Sequence, residues 1–274
     1  MVHEIPGMEL SGRVVALGER ARHWQLGAEV MGIVGGGSYA ERIAVHERQL
    51  LPVPASVPVA DAAAIPEVWI TAFDALVVQG GLTAGRTALI HAGGSGVGTA
   101  AVQIANAIGA RAIVTASWGK VARCLELGAV AAIDYAIDDF VGATVAITDG
   151  VGADVILDVI GGDYVNRNID AVAVGGRIVQ VGVMGGGMTE VNVGKLLPKR
   201  AALIGTVLRG RPIEEKIAIT QRFGAEMLPL FDRGTVVPVI DRRYSLDDIA
   251  VAHAAMETNE NVGKIVIDVA TPAA

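Results

Sequence analysis

The sequence predicts an α/β protein, with a doubly wound parallel sheet and a smaller β-rich domain. Three observations carry that expectation. Beyond Thr87, short apolar runs alternate with stretches of helical spacing, the rhythm of strand–helix–strand units. The 35 glycines fall mostly at the ends of apolar runs, where a strand turns tightly or a backbone approaches a ligand. Aromatic residues make up only 4% against 52% hydrophobic, so Ala, Val, Ile and Leu build the core, as in a parallel sheet covered on both faces.

The chain has 274 residues, enough for two domains. Charged residues are 19% and the net charge is −7, which argues against disorder and against a nucleic-acid partner. No uncharged apolar run reaches about 18 residues, so no membrane span is expected. The opening Met1-Val2-His3-Glu4-Ile5-Pro6 lacks a signal peptide's basic region and apolar core. The single cysteine, Cys124, excludes an internal disulfide. A cytoplasmic enzyme fits all of this.

Residues 12–17, 29–34 and 39–45 read as short strands of the small domain, with Gly35-Gly36-Gly37 looping between the last two. From 59 to 80 the spacing becomes helical, with a break at Pro66. Strands are then expected at 88–92, 112–116, 131–135, 153–159, 177–183 and 201–208, and helices at 98–108, 120–127 and 164–174. A long helix over 213–231, a strand near Val237, a helix over 246–256 and a strand over 264–269 close the chain.

The segment His91-Ala92-Gly93-Gly94-Ser95-Gly96-Val97-Gly98 joins a buried strand to a helix. A Rossmann fold brings a dinucleotide's pyrophosphate to such a turn, where free amides and the helix dipole face it. The G-x-G-x-x-G pattern is modified, since Ser95 stands at its middle glycine. Sites that prefer NAD carry Asp or Glu at the end of the second strand, about 20 residues past the glycines. Here that end reads Ala116-Ser117-Trp118-Gly119-Lys120, with a hydroxyl and a cation and no carboxylate. NADPH is favoured. The alternative is that Ser117 caps the next helix and Lys120 is a solvated surface residue.

With those residues in view, the chain resembles the zinc-independent quinone oxidoreductase (zeta-crystallin-like) branch of the medium-chain dehydrogenase/reductase family. The resemblance is carried by Ile5-Pro6-Gly7-Met8-Glu9, the segments 63–73 and 91–98, Leu157-Asp158-Val159-Ile160-Gly161-Gly162, and Asn259-Glu260-Asn261-Val262-Gly263-Lys264. It implies a Rossmann domain, residues 69–212, inserted in a GroES-like catalytic domain formed by residues 1–68 with 213–274. Against that pattern the chain begins almost at Ile-x-Gly-x-Glu, so the GroES-like domain is expected to be shortened, without the Asn and Tyr that face nicotinamide and substrate. The resemblance puts Ser95, Gly96 and Val97 at the pyrophosphate and Ser117, Lys120 and Tyr135 at the 2′-phosphate. It puts Gly161, Val183, Met184, Leu208, Arg209, Asn261 and Lys264 at the ribose and nicotinamide end.

Zinc-dependent cousins have Gly-His-Glu where this chain has Gly7-Met8-Glu9, and a cysteine where it has Glu67. A thioether and a lone carboxylate do not make a catalytic zinc site. The histidines His3, His23, His46, His91 and His253 read as surface or packing residues, so no metal is expected. No side chain is nominated as catalytic, because the cofactor supplies the hydride and the protein aligns it. The implied activity is NADPH-dependent reduction of quinones or other conjugated carbonyls. A non-catalytic NADPH-binding protein and an enoyl-thioester reductase are the alternatives. The final strand, 201–208, is apolar and lies at a sheet edge, so a homodimer through two such strands is expected.

Overall fold

The computed structural model describes residues 5–269, which leaves His3 outside the described residues. The chain divides into two units, one running to Ile70 and resuming at Leu208, the other spanning Thr71–Val207.

In the first unit β1 (Glu9–Arg13) pairs antiparallel with β2 (Glu29–Ile33), and β2 with β3 (Leu50–Pro52). The strand expected over 39–45 does not form. Its alternation supplies a face, but a strand also needs a partner to take its amides, and periodicity within one segment cannot report that. After α1 (Val59–Ala62), helix α2 (Pro66–Phe73) starts on Pro66, a first-turn position where the missing N–H is harmless. Trp69 of α2 packs edge-on against Phe231 with ring centroids 4.6 Å apart. A wide helical turn, Asp74–Gln79, follows.

The second unit is the parallel sheet. Its strands are β4 (Thr87–Ile90), β5 (Arg111–Ala116), β6 (Ala131–Asp134), β7 (Ala153–Asp158), β8 (Val172–Gln180) and β9 (Ala202–Gly205). Between them run α3 (Gly96–Ala107), α4 (Trp118–Glu126), α5 (Phe140–Ile147), α6 (Tyr164–Ala171) and α7 (Val193–Lys199). The spatial order is β6-β5-β4-β7-β8-β9, every neighbour parallel. That order reverses direction between β4 and β7, and the crevice beyond their carboxyl ends is where such sheets bind ligands. Leu89, Ile113, Ile156 and Ile178 stack across the strands and are sealed by Phe140 and Ile169, all without solvent exposure. Burial on both faces of β4, β5 and β7 explains why these strands read as continuous apolar runs.

The chain then returns to the first unit through α8 (Ile213–Asp232), β10 (Ile240–Ser245), α9 (Ile249–Glu257) and β11 (Lys264–Asp268), with β10 and β11 parallel. The strand expected near Val237 therefore falls a few residues later. Among the described residues no helix is long and apolar enough to cross a membrane.

Candidate cofactor-binding site

The turn after β4 is built by backbone contacts that leave no room for side chains. A Cβ on Gly98 would lie 2.3 Å from the Ala92 carbonyl oxygen, and one on Gly93 would lie 2.6 Å from the Cβ of Val114. Gly93 N–H donates to the Thr115 carbonyl at 2.8 Å, folding the turn over the end of β5. Ala92 takes a positive φ of 55°, which costs a non-glycine residue roughly 1–2 kcal/mol. Ser95 is the N-cap of α3, and its Oγ accepts from Gly98 N–H at 3.0 Å. The amides of Gly96 and Val97 fall in the first turn, where a helix offers them no acceptor of its own. Aligned amides at the positive end of a 12-residue helix fit an anionic phosphate.

Lys120 is not a solvated surface residue. It is only 8% exposed, and a Cβ on Gly94 would come within 2.7 Å of its Cδ, so its stem lies directly over the turn. Ser117 does occupy the N-cap position of α4, yet its side chain makes no capping hydrogen bond. Tyr135 follows β6, half exposed, with its amide on the Ala116 carbonyl at 3.2 Å. The structure thus gathers Ser117, Lys120 and Tyr135 around the ends of β5 and β6. Cys124, one turn beyond Lys120, is buried, and burial pushes its thiol up to about 11.

On the other side of the switch point, the loop after β7 pairs with the loop after β8. Met184 N–H donates to the Val159 carbonyl at 3.1 Å, Gly185 N–H to that of Ile160 at 2.7 Å, and Gly162 N–H to that of Gly186 at 3.0 Å. Gly161 has φ +68°, and a Cβ there would meet the Gly186 oxygen at 3.0 Å. Gly161, Val183 and Met184 are therefore brought together, with both side chains of the latter pair exposed.

Four polar residues beneath these loops were not singled out from sequence as a group. His91, Asn168 and Asp158 are fully buried and Thr115 nearly so. His91 lies 2.7 Å from the Asn168 Oδ1 through Nε2 and 3.0 Å from the Thr115 Oγ1 through Nδ1. Asn168 Nδ2 donates to Asp158 at 2.8 Å. Burial holds the His91 imidazole below its ordinary value, opposed by the nearby Asp158 carboxylate. The available signal was a polar side chain closing each of three apolar strand runs, because buried polar groups require partners.

Leu208, Arg209, Asn261 and Lys264 belong to the first unit. Leu208 is buried and Arg209 sits exposed in the turn after β9, where Arg211 N–H reaches the Leu208 carbonyl at 3.2 Å. Asn261 is buried, its Nδ2 donating to the Gly263 carbonyl at 2.9 Å. Lys264 pairs its ammonium with Glu9 and also feels the charges of Glu67 and Tyr39. Burial alone would lower this lysine, but Glu9 and Glu67 outweigh it and leave the ammonium above its ordinary value. The second Glu9 oxygen accepts the Glu67 N–H of α2 at 2.9 Å. Among the described residues, no group of three or more His, Cys, Asp or Glu side chains could hold a metal ion.

Known proteins share this fold. Residues 127–267 match the zinc-binding dehydrogenase family model, and residues 2–55 match the alcohol dehydrogenase GroES-like domain. The chain is 31% identical over 267 residues to a quinone oxidoreductase of Pseudomonas aeruginosa, covering 95% of this chain and 81% of the relative. It superposes on the crystal structure of a quinone oxidoreductase of Pseudomonas syringae with a TM-score of 0.84 at 29% identity, covering 96% and 81% of the two chains. The CurK enoyl reductase is also similar, with a TM-score of 0.83, 25% identity and coverage of 97% and 79%.

Proposed function

The chain belongs to the medium-chain dehydrogenase/reductase family as a quinone oxidoreductase-like member, and on that premise we propose that it is a zinc-independent, NADPH-dependent reductase of quinones and other conjugated carbonyls. The observation that carries the proposal is Lys120 on α4, held over Gly94 of the phosphate turn, together with a β5 end that carries no carboxylate of the kind an NAD site has. When bound, NADPH supplies the hydride. The Gly96 and Val97 amides, with Ser95, take the pyrophosphate, and Lys120, Ser117 and Tyr135 take the 2′-phosphate. Gly161, Val183 and Met184, with Leu208, Arg209, Asn261 and Lys264, hold the ribose and nicotinamide end. No side chain is assigned as general acid, since a hydroquinone or enolate can take its proton from water.

Zinc does not fit the residues at the positions where cousins bind it. Met8 offers a thioether and Glu67 a lone carboxylate, and the neighbouring Glu9 is already paired with Lys264. The edge strand β9, where Leu203 is 41% exposed, is proposed to pair with its counterpart in a homodimer, a state that light scattering reads directly. The function is tested by assaying NADPH oxidation with 1,4-benzoquinone; turnover supports it, and NADPH binding without turnover would leave a non-catalytic binding protein. A second reading, reduction of an enoyl thioester, draws on the likeness to the CurK enoyl reductase. It is separated by running a short enoyl thioester in the same assay.

A further inference from the structure

Beneath the cofactor loops runs a chain of buried side chains that the proposed chemistry does not use. It starts at Thr115 near the end of β5, passes through His91 after β4 and Asn168 on α6, and ends at Asp158 on β7. These are the strands whose following loops carry the phosphate turn, the Ser117–Lys120 segment and Gly161. We infer that His91, Asn168 and Asp158 are positioning residues that set the spacing between these loops, so that the two halves of one dinucleotide are held in register. The inference rests on the reading above that these loops bind a nicotinamide dinucleotide.

The direction of every bond follows from donor and acceptor chemistry. A carboxylate only accepts, and Asp158 Oδ1 takes the amides of Ile160 at 2.6 Å and Gly161 at 3.0 Å. Its Oδ2 takes Asn168 Nδ2, so the Asn168 carbonyl oxygen must face His91. A carbonyl cannot donate, so Nε2 of His91 carries the proton. Burial disfavours a second proton, and Nδ1 therefore accepts from the Thr115 hydroxyl. All bonds point toward Asp158 and polarise one another.

The ring has little room to turn. Phe140 and Tyr164 each meet it edge-on at 4.8 Å, and the Arg167 guanidinium lies 4.1 Å over Phe140. Two main-chain bonds run in parallel with the chain, from His91 N–H to the Leu157 carbonyl at 3.0 Å and from Gly93 N–H to that of Thr115. Apolar side chains of the same volume would give stability at least as well as a buried polar chain. What the polar chain adds is a fixed length and direction between loops, and Asp158 anchors two amides of the Gly161 loop itself.

The test is Asp158→Asn, which keeps the shape and the acceptor for both amides but places N–H₂ against Asn168. Asn168 must then flip and donate to His91, moving the proton from Nε2 to Nδ1. Imidazole ¹⁵N NMR reads the tautomer, and titrations with NADPH and with adenosine 2′,5′-bisphosphate read the register. We expect Nε2–H in the wild type and Nδ1–H in the variant. NADPH should bind about tenfold more weakly, while the half-ligand, which does not reach the Gly161 loop, binds as before. Thr115→Val, which removes only the first donor, should show the same selectivity to a smaller degree and carries the test if Asp158→Asn does not fold. Wild-type Nδ1–H, unchanged NADPH binding in the variants, or equal losses for both ligands would overturn the inference. A wild type that binds no dinucleotide would instead overturn the reading on which it rests, and the inference with it.

Discussion

The two units bury polar groups in opposite ways. In the first unit Lys264, Glu9 and Glu67 form an ion cluster, held by charge and indifferent to which proton points where. In the second, Thr115, His91, Asn168 and Asp158 form a chain of directed hydrogen bonds whose order depends on a single tautomer. An ion cluster is costly to leave incomplete, because the remaining charges stay buried without a partner. A directed chain can be reversed by an isosteric change that removes no atom from the core. The first arrangement secures β11 to β1 and α2; the second sets the geometry of loops that the phosphate turn depends on.

The largest expected effect breaks the cluster. Lys264→Met should destabilise the protein by about 3–5 kcal/mol, read as a lower thermal midpoint, since it removes the buried counter-charge of Glu9 and Glu67. Lys264→Arg, which restores the charge, should recover part of that loss.

Next comes the second unit's proposed phosphate contact. Lys120→Ala should weaken NADPH by about 1.5–3 kcal/mol and leave NADH nearly unchanged, as measured by fluorescence titration. A loss shared equally by both cofactors would mean that the side chain acts only by packing on Gly94.

The smallest effect sharpens the contrast through pH. His91 is held below its unfolded value of about 6.5, so the unfolded chain takes the proton first. Stability should therefore fall as pH drops below about 6.5, by up to ~1.4 kcal/mol per unit, until the folded value is reached. Lys264 is held above its unfolded value of about 10.4, so its contribution is fully present below that pH and is lost as pH rises through the folded value. Denaturation profiles of Lys264→Met should lose the alkaline limb attributable to this lysine, and those of His91→Phe the acid limb attributable to this histidine. The opposite pattern would show that the roles have been misassigned.

The centre of the parallel sheet was legible because β4, β5 and β7 are buried on both faces and read as apolar runs, as Ala88-Leu89-Ile90 before the phosphate turn shows. The turn itself was legible because it must change direction without side chains. Helices α5 and α7 were not anticipated: Phe140–Ile147 is apolar on nearly every side and gives no helical stripe, and Val193–Lys199 is short and carries Pro198. The strand assigned to 39–45 failed because alternation names a face and not a partner. Of the site, the Ser117–Lys120 segment could be read as polar, but whether Lys120 turned inward depended on the phase of α4 against Gly94. His91, Asn168 and Asp158 lie on three separate elements, and only the folded sheet places them in line.

Parallel titration of the wild-type protein with NADPH and NADH reads whether this site is built for a 2′-phosphate. We expect NADPH to bind more tightly, because β5 ends without the carboxylate an NAD site keeps for the ribose and is followed by Ser117 and Lys120. Equal affinities, or a preference for NADH, would contradict it.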